Sequence, residues 1–376
     1  MKHFYTKGVQ ILLLIAGGML LSLKGVAQYT PSVLASGGVY SAVATDMQNR
    51  VYVVAYNATS GKYEVDLYPE GSTGAHTTIY SDLAGPGADH PWGIAVNSLG
   101  DVYVTNPNTS NNWEVIKLAS GTRTPSVILH GNYYTALTTD ASNNLLTMEY
   151  DASTHNYQVV RYNADGGART PLYNGIPIAA GGGSYPWGLV MDKQHNIYIL
   201  DLPNSSANGK VIKLTAPGYA PTTLLSGKNY SSLAIDAAGN LYTSELASGT
   251  TYHVMKYAAP ALTSGTEIYT GLSTATLLYP WGLAVDGHGN VFVNDPAANS
   301  GNGDFIKLTS NPVSVSSVIR ASPNPTGAAT VDFTVTFSAP VSNVTASAFS
   351  ITTTGGISGV YTSNVTGSGT TYTVTV

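Results

Sequence analysis

His90, His130, His155 and Glu149 are the residues of this chain from which proton transfer could be built. A general base has to lie within hydrogen-bond reach of the proton it takes, and histidine and glutamate titrate in a usable range. The bland reading is that three scattered histidines, in a chain with only eight, are loop residues. No Ser/His/Asp arrangement, no His-Glu-x-x-His and no glycine-rich phosphate loop accompanies them. Cysteine is absent, which removes thiol catalysis, cysteine metal sites and disulfides. Catalysis is therefore the lesser expectation.

Binding chemistry emerges when the chain is aligned with itself. Pro-Trp-Gly occurs at Pro91–Gly93, Pro186–Gly188 and Pro280–Gly282. Each copy opens a similar unit: "PWGIAVNSLGDVYVTN", "PWGLVMDKQHNIYILD" and "PWGLAVDGHGNVFVND". Three related units lie between them without tryptophan: "YSAVATDMQNRVYVVA", "YTALTTDASNNLLTME" and "YSSLAIDAAGNLYTSE". The aligned turn residues are Asp46, Asn97, Asp140, Asp192, Asp236 and Asp286. Their long and short steps alternate, as a two-unit block of about 95 residues copied three times would give.

Each unit reads as four strands. An alternating apolar run, an Asp/Asn/Gly turn and a second β-rich run make a hairpin. A third run ("YEVDLY", "WEVIKL", "YQVVRY", "KVIKL", "YHVMKY", "DFIKL") and a fourth ("TTIYSDL", "PSVILHG", "TPLYNGI", "TTLLSG", "TEIYTGL") follow. Four antiparallel strands per repeat make a propeller blade. The sixth unit lacks a fourth run, but "YTPSVLASG" at 29–37 resembles "RTPSVILHG" at 123–131. The N-terminal segment is thus expected to supply the outer strand of blade six and remove a free edge.

In such a ring the start of each first strand and the end of each second strand share a face. Trp92, Trp187 and Trp281 would alternate there with Ser41, Thr135 and Ser231. Tyr40, Tyr134 and Tyr230 would stand one residue earlier in the other three blades. The six aromatic residues could stack on a sugar, a peptide or an aromatic group. Asn106, Glu149, Asp201, Glu245 and Asp295 end five of the second strands and could hold a hard cation such as Ca2+ through oxygen ligands. The competing readings are interblade packing for the tryptophans and loop-tethering hydrogen bonds for the acids. The loops after the acids, "NPNTSNNW", "DLPNSSANG" and "DPAANSGNGD", look like surface loops and lack a calcium-loop pattern.

Bulk properties limit the partners. Residues 2–7 are basic at Lys2, His3 and Lys7, residues 11–23 are apolar, and small residues Gly25 and Ala27 follow. This reads as a signal peptide over residues 1–27, its apolar run being shorter than the ~20 residues of a membrane span. Without it Lys2, Lys7 and Lys24 leave and no acid does, so 13 basic residues face 21 acidic ones, a net of −8. A mildly acidic exported chain is a poor nucleic-acid binder, and no membrane span is expected in the mature chain.

"PWGLAVDGHGNVFVND" resembles the consensus of the NHL-repeat family of six-bladed propellers, Pro-x-Gly-Ile/Leu-Ala-Val-Asp, Gly-Asn-Val/Leu-Tyr-Val, Asp. The chain is more distantly similar to streptogramin-lyase and gluconolactonase-like propellers. The resemblance covers about three quarters of the chain and implies the fold more strongly than any activity. In one departure, the basic residue that many family members carry after the Asp is largely replaced by Asn, Ser and Gly. The tail resembles bacterial immunoglobulin-like modules: "TVDFTVTF" sets Val331, Phe333, Val335 and Phe337 on one face, and "AFSITT", "GVYTSNVTG" and "TTYTVTV" read as further strands.

The expected fold is all-β. A six-bladed β-propeller at 28–310, closed by an N-terminal strand, follows the signal peptide and precedes an incomplete immunoglobulin-like β-sandwich at 311–376. The function that this organisation suggests is an exported, non-catalytic recognition protein, acting as a monomer or as part of a longer multidomain chain. It would bind an extracellular glycan or protein through its loop face. The alternatives are a metal-assisted lyase or lactonase using His90, His130, His155 and Glu149, and a purely structural cell-surface spacer.

Overall fold

The structure, a computed structural model, describes residues 11–15, 28–84, 90–107, 113–177, 186–201, 209–249, 251–273, 279–299, 302–311, 313–324, 327–341, 344–353 and 358–376. One compact unit spans Tyr29–Ser310. It holds six four-stranded sheets, each ordered from an inner to an outer strand. Blades one to five occupy residues 40–83, 94–130, 134–177, 189–228 and 230–273. Blade six combines Leu283–Val285, Val291–Asn299 and Asn302–Asn311 with Gln28–Gly38 as its outer strand. The ring is a propeller closed by its N-terminal strand, as the missing sixth fourth-run implies.

The blades alternate in build. The odd blades have six-residue inner strands, Tyr40–Thr45, Tyr134–Thr139 and Tyr230–Ile235. In the even blades proline opens the segment and the inner strands shrink to Ile94–Val96, Leu189–Met191 and Leu283–Val285. A proline has no N–H to give to a ladder, which fits a shortened strand. Each odd inner strand carries a bulge, between Tyr40 and Ala42, Tyr134 and Ala136, and Tyr230 and Ser232.

The hairpin turns at one face are built alike. Asp236 Oδ1 accepts the N–H groups of Ala238 and Asn240 at 2.9 Å, and its Oδ2 takes Asn240 Nδ2 at 2.7 Å and the Tyr242 hydroxyl at 3.1 Å. Asn240 Oδ1 then accepts the Ala259 N–H from the next hairpin at 3.0 Å. An Asx turn of this kind fixes both the hairpin and its neighbour. Asp192 with Asn196 and Asp286 with Asn290 repeat it, and Asn97 with Asp101 runs it with the two residue types exchanged.

Apolar clusters fill the seams between neighbouring blades. One joins Tyr52, Val54 and Val65 of blade one to Ile94, Val104 and Ile116 of blade two. Another joins Met148 and Val159 of blade three to Leu189, Ile199 and Ile212 of blade four.

A second unit takes residues 1–28 and 311–376. Its sheet is Val315–Arg320, Asp332–Val341 and Asn364–Thr375, and Phe349–Thr353 pairs antiparallel with Ile11–Ile15. Phe333, Val335 and Phe337 are buried on one face, as their alternation predicts. The runs "GVYTSNVTG" and "TTYTVTV", expected as two strands, contribute to a single strand from Asn364 to Thr375, and Tyr361 before it is exposed. The expected cleavage after Ala27 lies outside the described residues. Among the described residues no helix is long and apolar enough to cross a membrane.

Candidate functional site

The three Pro-Trp-Gly segments meet at the propeller axis. The rings of Trp92 and Trp187 are 6.0 Å apart, and those of Trp187 and Trp281 are 5.6 Å apart. Trp92 and Trp281 are buried, while Trp187 is half-buried. The glycine after each tryptophan is required by close approach: a Cβ on Gly188 would stand 2.6 Å from Leu200, and one on Gly282 2.7 Å from Val43. The proline carbonyls receive hydroxyls from the neighbouring odd blades. Ser41 donates to Pro91 O at 2.7 Å, Thr135 to Pro186 O at 2.8 Å and Ser231 to Pro280 O at 3.0 Å. Tryptophan and small hydroxyl residues therefore alternate around the axis for a packing reason.

Tyr40, Tyr134 and Tyr230 are not part of an aromatic platform. All three are buried. Tyr40 packs on Phe305 at 5.9 Å, Tyr134 lies in the core with Trp113 and Leu137, and Tyr230 lies with Leu233 and Tyr257. Burial pushes the Tyr40 and Tyr230 phenols up to about 12. The bulge is the physical reason: it gives the axial seam to Ser41, Thr135 and Ser231 and leaves the preceding tyrosine to the core.

The carboxylate ring does not converge on one ion. Among the described residues no group of three His, Asp or Glu side chains could hold a metal. Glu149 is fully buried and spent locally: Tyr162 OH donates at 2.8 Å, Arg169 at 2.8 Å and Thr147 at 3.1 Å. Glu245 takes Tyr257 OH at 2.9 Å, with Lys228 Nζ at 3.8 Å. Asn106 Oδ1 accepts the Ala84 N–H at 2.8 Å, and Asp295 Oδ1 accepts the Ser273 N–H and hydroxyl at 2.9 Å each. These two tie down the end of the preceding blade's outer strand.

Asp201 breaks this pattern. Ala84 follows Leu83, which pairs with Tyr63, and Ser273 follows Leu272, which pairs with Tyr252. The matching residue after Ile176, the partner of Tyr157, is Pro177. Proline has no N–H to offer. Asp201 Oδ1 is buried and accepts no hydrogen bond among the described residues, with Lys210 Nζ 3.9 Å from the other oxygen. Burial raises its pKa above the usual carboxylate range, with Lys210 acting weakly the other way.

The four residues proposed for proton transfer are likewise held apart in separate local roles. His90 Nδ1 is bonded to the Tyr63 hydroxyl, and its ring lies 5.7 Å from that of Trp281. His130 is exposed at the end of an outer strand and pairs in register with Glu114. His155 sits in a hairpin turn at φ 56°, with Nδ1 3.0 Å from the Tyr150 hydroxyl. None of the three is among the partners of Glu149, which are Thr147, Gln158, Tyr162 and Arg169. The acid–base cluster is not assembled.

Trp113, Tyr133 and Tyr279 belong to the axial cluster although repeat spacing did not nominate them. Trp113 is buried against Trp92 at 5.2 Å and Tyr133 at 4.4 Å; Tyr279 stacks on Trp187 at 6.3 Å. The signal was available: the residue before Pro-Trp-Gly is His90, Tyr185 and Tyr279 in the three copies. His90 thus fills an aromatic scaffold position. The loop segments nominated after Asn106 and Asp201 fall largely at 108–112 and 202–208, outside the described residues, whereas the one after Asp295 lies mostly in the strands Val291–Asn299 and Asn302–Asn311, with only 300–301 outside.

The NHL-repeat family model matches residues 89–116. The curated proteins contain no match. Among solved structures, a gluconolactonase from Xanthomonas campestris is similar with a TM-score of 0.52 at 13% identity, covering 81% of this chain and 96% of that one. Regucalcin, a calcium-binding protein from Agrobacterium tumefaciens, gives 0.51 at 12% identity, covering 77% and 97%. Virginiamycin B lyase from Staphylococcus aureus gives 0.44 at 13% identity, covering 75% and 99%. The gluconolactonase and regucalcin likenesses bear on the fold alone, and with the six sheets they show that the chain carries the NHL repeat in a six-bladed propeller.

Proposed function

We propose that this chain is an exported, non-catalytic recognition propeller that binds an extracellular glycan or protein through the face carrying the tryptophans. The observation that supports it most is the aromatic group at that face. Trp187, Tyr133, Tyr279 and His90 are half-buried there around the buried Trp92 and Trp281. Amphipathic aromatic side chains on a rigid base offer contact area at low ordering cost, and such residues dominate recognition surfaces. His90, His155 and Glu149, by contrast, are engaged in local hydrogen bonds, and His130 is exposed at the end of an outer strand.

Glycan and peptide arrays probed with the propeller test this reading. Replacing Trp187 or Tyr279 by Ala should weaken a positive interaction by about tenfold, ~1.4 kcal/mol. Replacing Lys193 or His195, in a hairpin turn of the opposite face, should leave it unchanged. Binding that follows Lys193 or His195 instead, or no binding on either array, would overturn the proposal.

A further inference from the structure

Beneath the indoles lies an axial cavity of about 240 Å³, lined by all six inner strands. Trp92, Trp187 and Trp281 close it at the loop-face end. At the hairpin-face end the strands finish at Thr45, Val96, Thr139, Met191, Ile235 and Val285, five of which are half-buried. Among the described residues no charged side chain lines the cavity. Each inner strand is the last in its sheet, so one edge of its backbone has no strand to pair with. The cavity therefore combines backbone N–H and C=O groups with apolar side chains and offers no opposite charge to an ionised ligand.

The mouth follows the two-blade repeat and departs from it once. Thr45 Oγ1 donates to Val285 O at 2.8 Å, and Thr139 Oγ1 donates to Val96 O at 3.1 Å. In each case the last residue of an odd inner strand caps the carbonyl that ends the preceding even strand. The third pair is Ile235 and Met191, and isoleucine has no hydroxyl to donate. Among the described residues the Met191 carbonyl thus lacks the side-chain cap that its two counterparts have.

We infer that the axial cavity is a binding site for a small uncharged cyclic amide entering at the hairpin face, its N–H donated to the Met191 carbonyl. An amide carries the donor and acceptor that an unpaired strand edge complements. The volume suits one ring: an apolar cavity of ~150 Å³ already holds benzene. The absence of lining charge selects the neutral form. This site lies on the other side of the indoles from the recognition surface and shares only those three side chains with it.

The test uses the whole chain with uracil as probe and orotate, the same ring bearing a carboxylate, as its control. Saturation-transfer NMR and a titration of backbone amide cross-peaks should show uracil bound with a Kd on the order of 1 mM, with shifts confined to the inner strands of blades four and five. Orotate should give none. Ile235→Thr installs the residue type that blades one and three carry at this position. It should weaken uracil about tenfold by capping Met191. Equal response to orotate, an unchanged Kd in Ile235→Thr, shifts at the loop face, or no uracil binding would each overturn the assignment. If Ile235→Thr does not fold, the location of the wild-type shifts and the orotate comparison still decide it.

Discussion

Asp201 shows how much a single proline can set. Its Oδ1 lacks the N–H that its counterparts receive from Ala84 and Ser273, because Pro177 stands in the donor's place. Burial holds its folded-state pKa above the unfolded value. The native state then binds more protons than the unfolded state between those two values, so the penalty grows as pH rises through that window. It is absent below the unfolded pKa and complete above the folded one. Asp201→Asn should therefore raise the melting temperature at pH 7, and the gain should shrink toward pH 4. A gain that is equal at both pH values would show that the carboxylate charge is not the cause. This residue was legible as part of a polar ring but not as its unsatisfied member, since that requires knowing which backbone donor faces it. Likewise, Tyr40, Tyr134 and Tyr230 were placed at the right end of the blade and on the wrong side of it, because one bulge reverses a side chain's direction and leaves no mark in the spacing.

At the level of the strand pair, the sequence spoke more fully. The aligned Asp/Asn turns allowed every inner hairpin to be counted, and the four that read Asp-x-x-x-Asn are tied by the same pair of hydrogen bonds from the Asn to the Asp carboxylate. The alternation of Pro-Trp-Gly with hydroxyl residues was visible too, but its meaning was not. The hydroxyls cap the proline carbonyls of the next blade, a contact between segments about 50 residues apart. Ser231→Ala should cost about 1–2 kcal/mol, measured by urea unfolding, since it leaves the buried Pro280 carbonyl without that donor. Ser231→Thr should retain most of the stability, because Thr135 plays the same part in blade three.

Closure is the feature that makes the whole ring. Six blades could be counted from the repeats, and the missing fourth run pointed to the N-terminal strand as the outer strand of blade six. A chain beginning after Gly38 would leave the strand Asn302–Asn311 as an open edge and lose Leu34, which is buried against Tyr68 and Phe305. It should unfold without a single cooperative transition and associate through that edge, as seen by calorimetry and light scattering. A truncated ring that stays monomeric and melts like the full chain would contradict this role. What could not be read was the fate of the tail, where Gly367 and Gly369 take positive φ within one long strand and two expected strands become one.

The shared blade also decides how the ring would respond to a pull. Its first and last strands are neighbours in one sheet, with the Ser32 hydroxyl reaching the Lys307 carbonyl at 3.4 Å. Tension carried along the polypeptide enters and leaves the propeller at this one pair of strands, not across its diameter. The load falls first on blade six, and the other five blades stay shielded until that pair parts. Blade six is thereby a mechanical fuse: the element that completes the ring is also where force would open it.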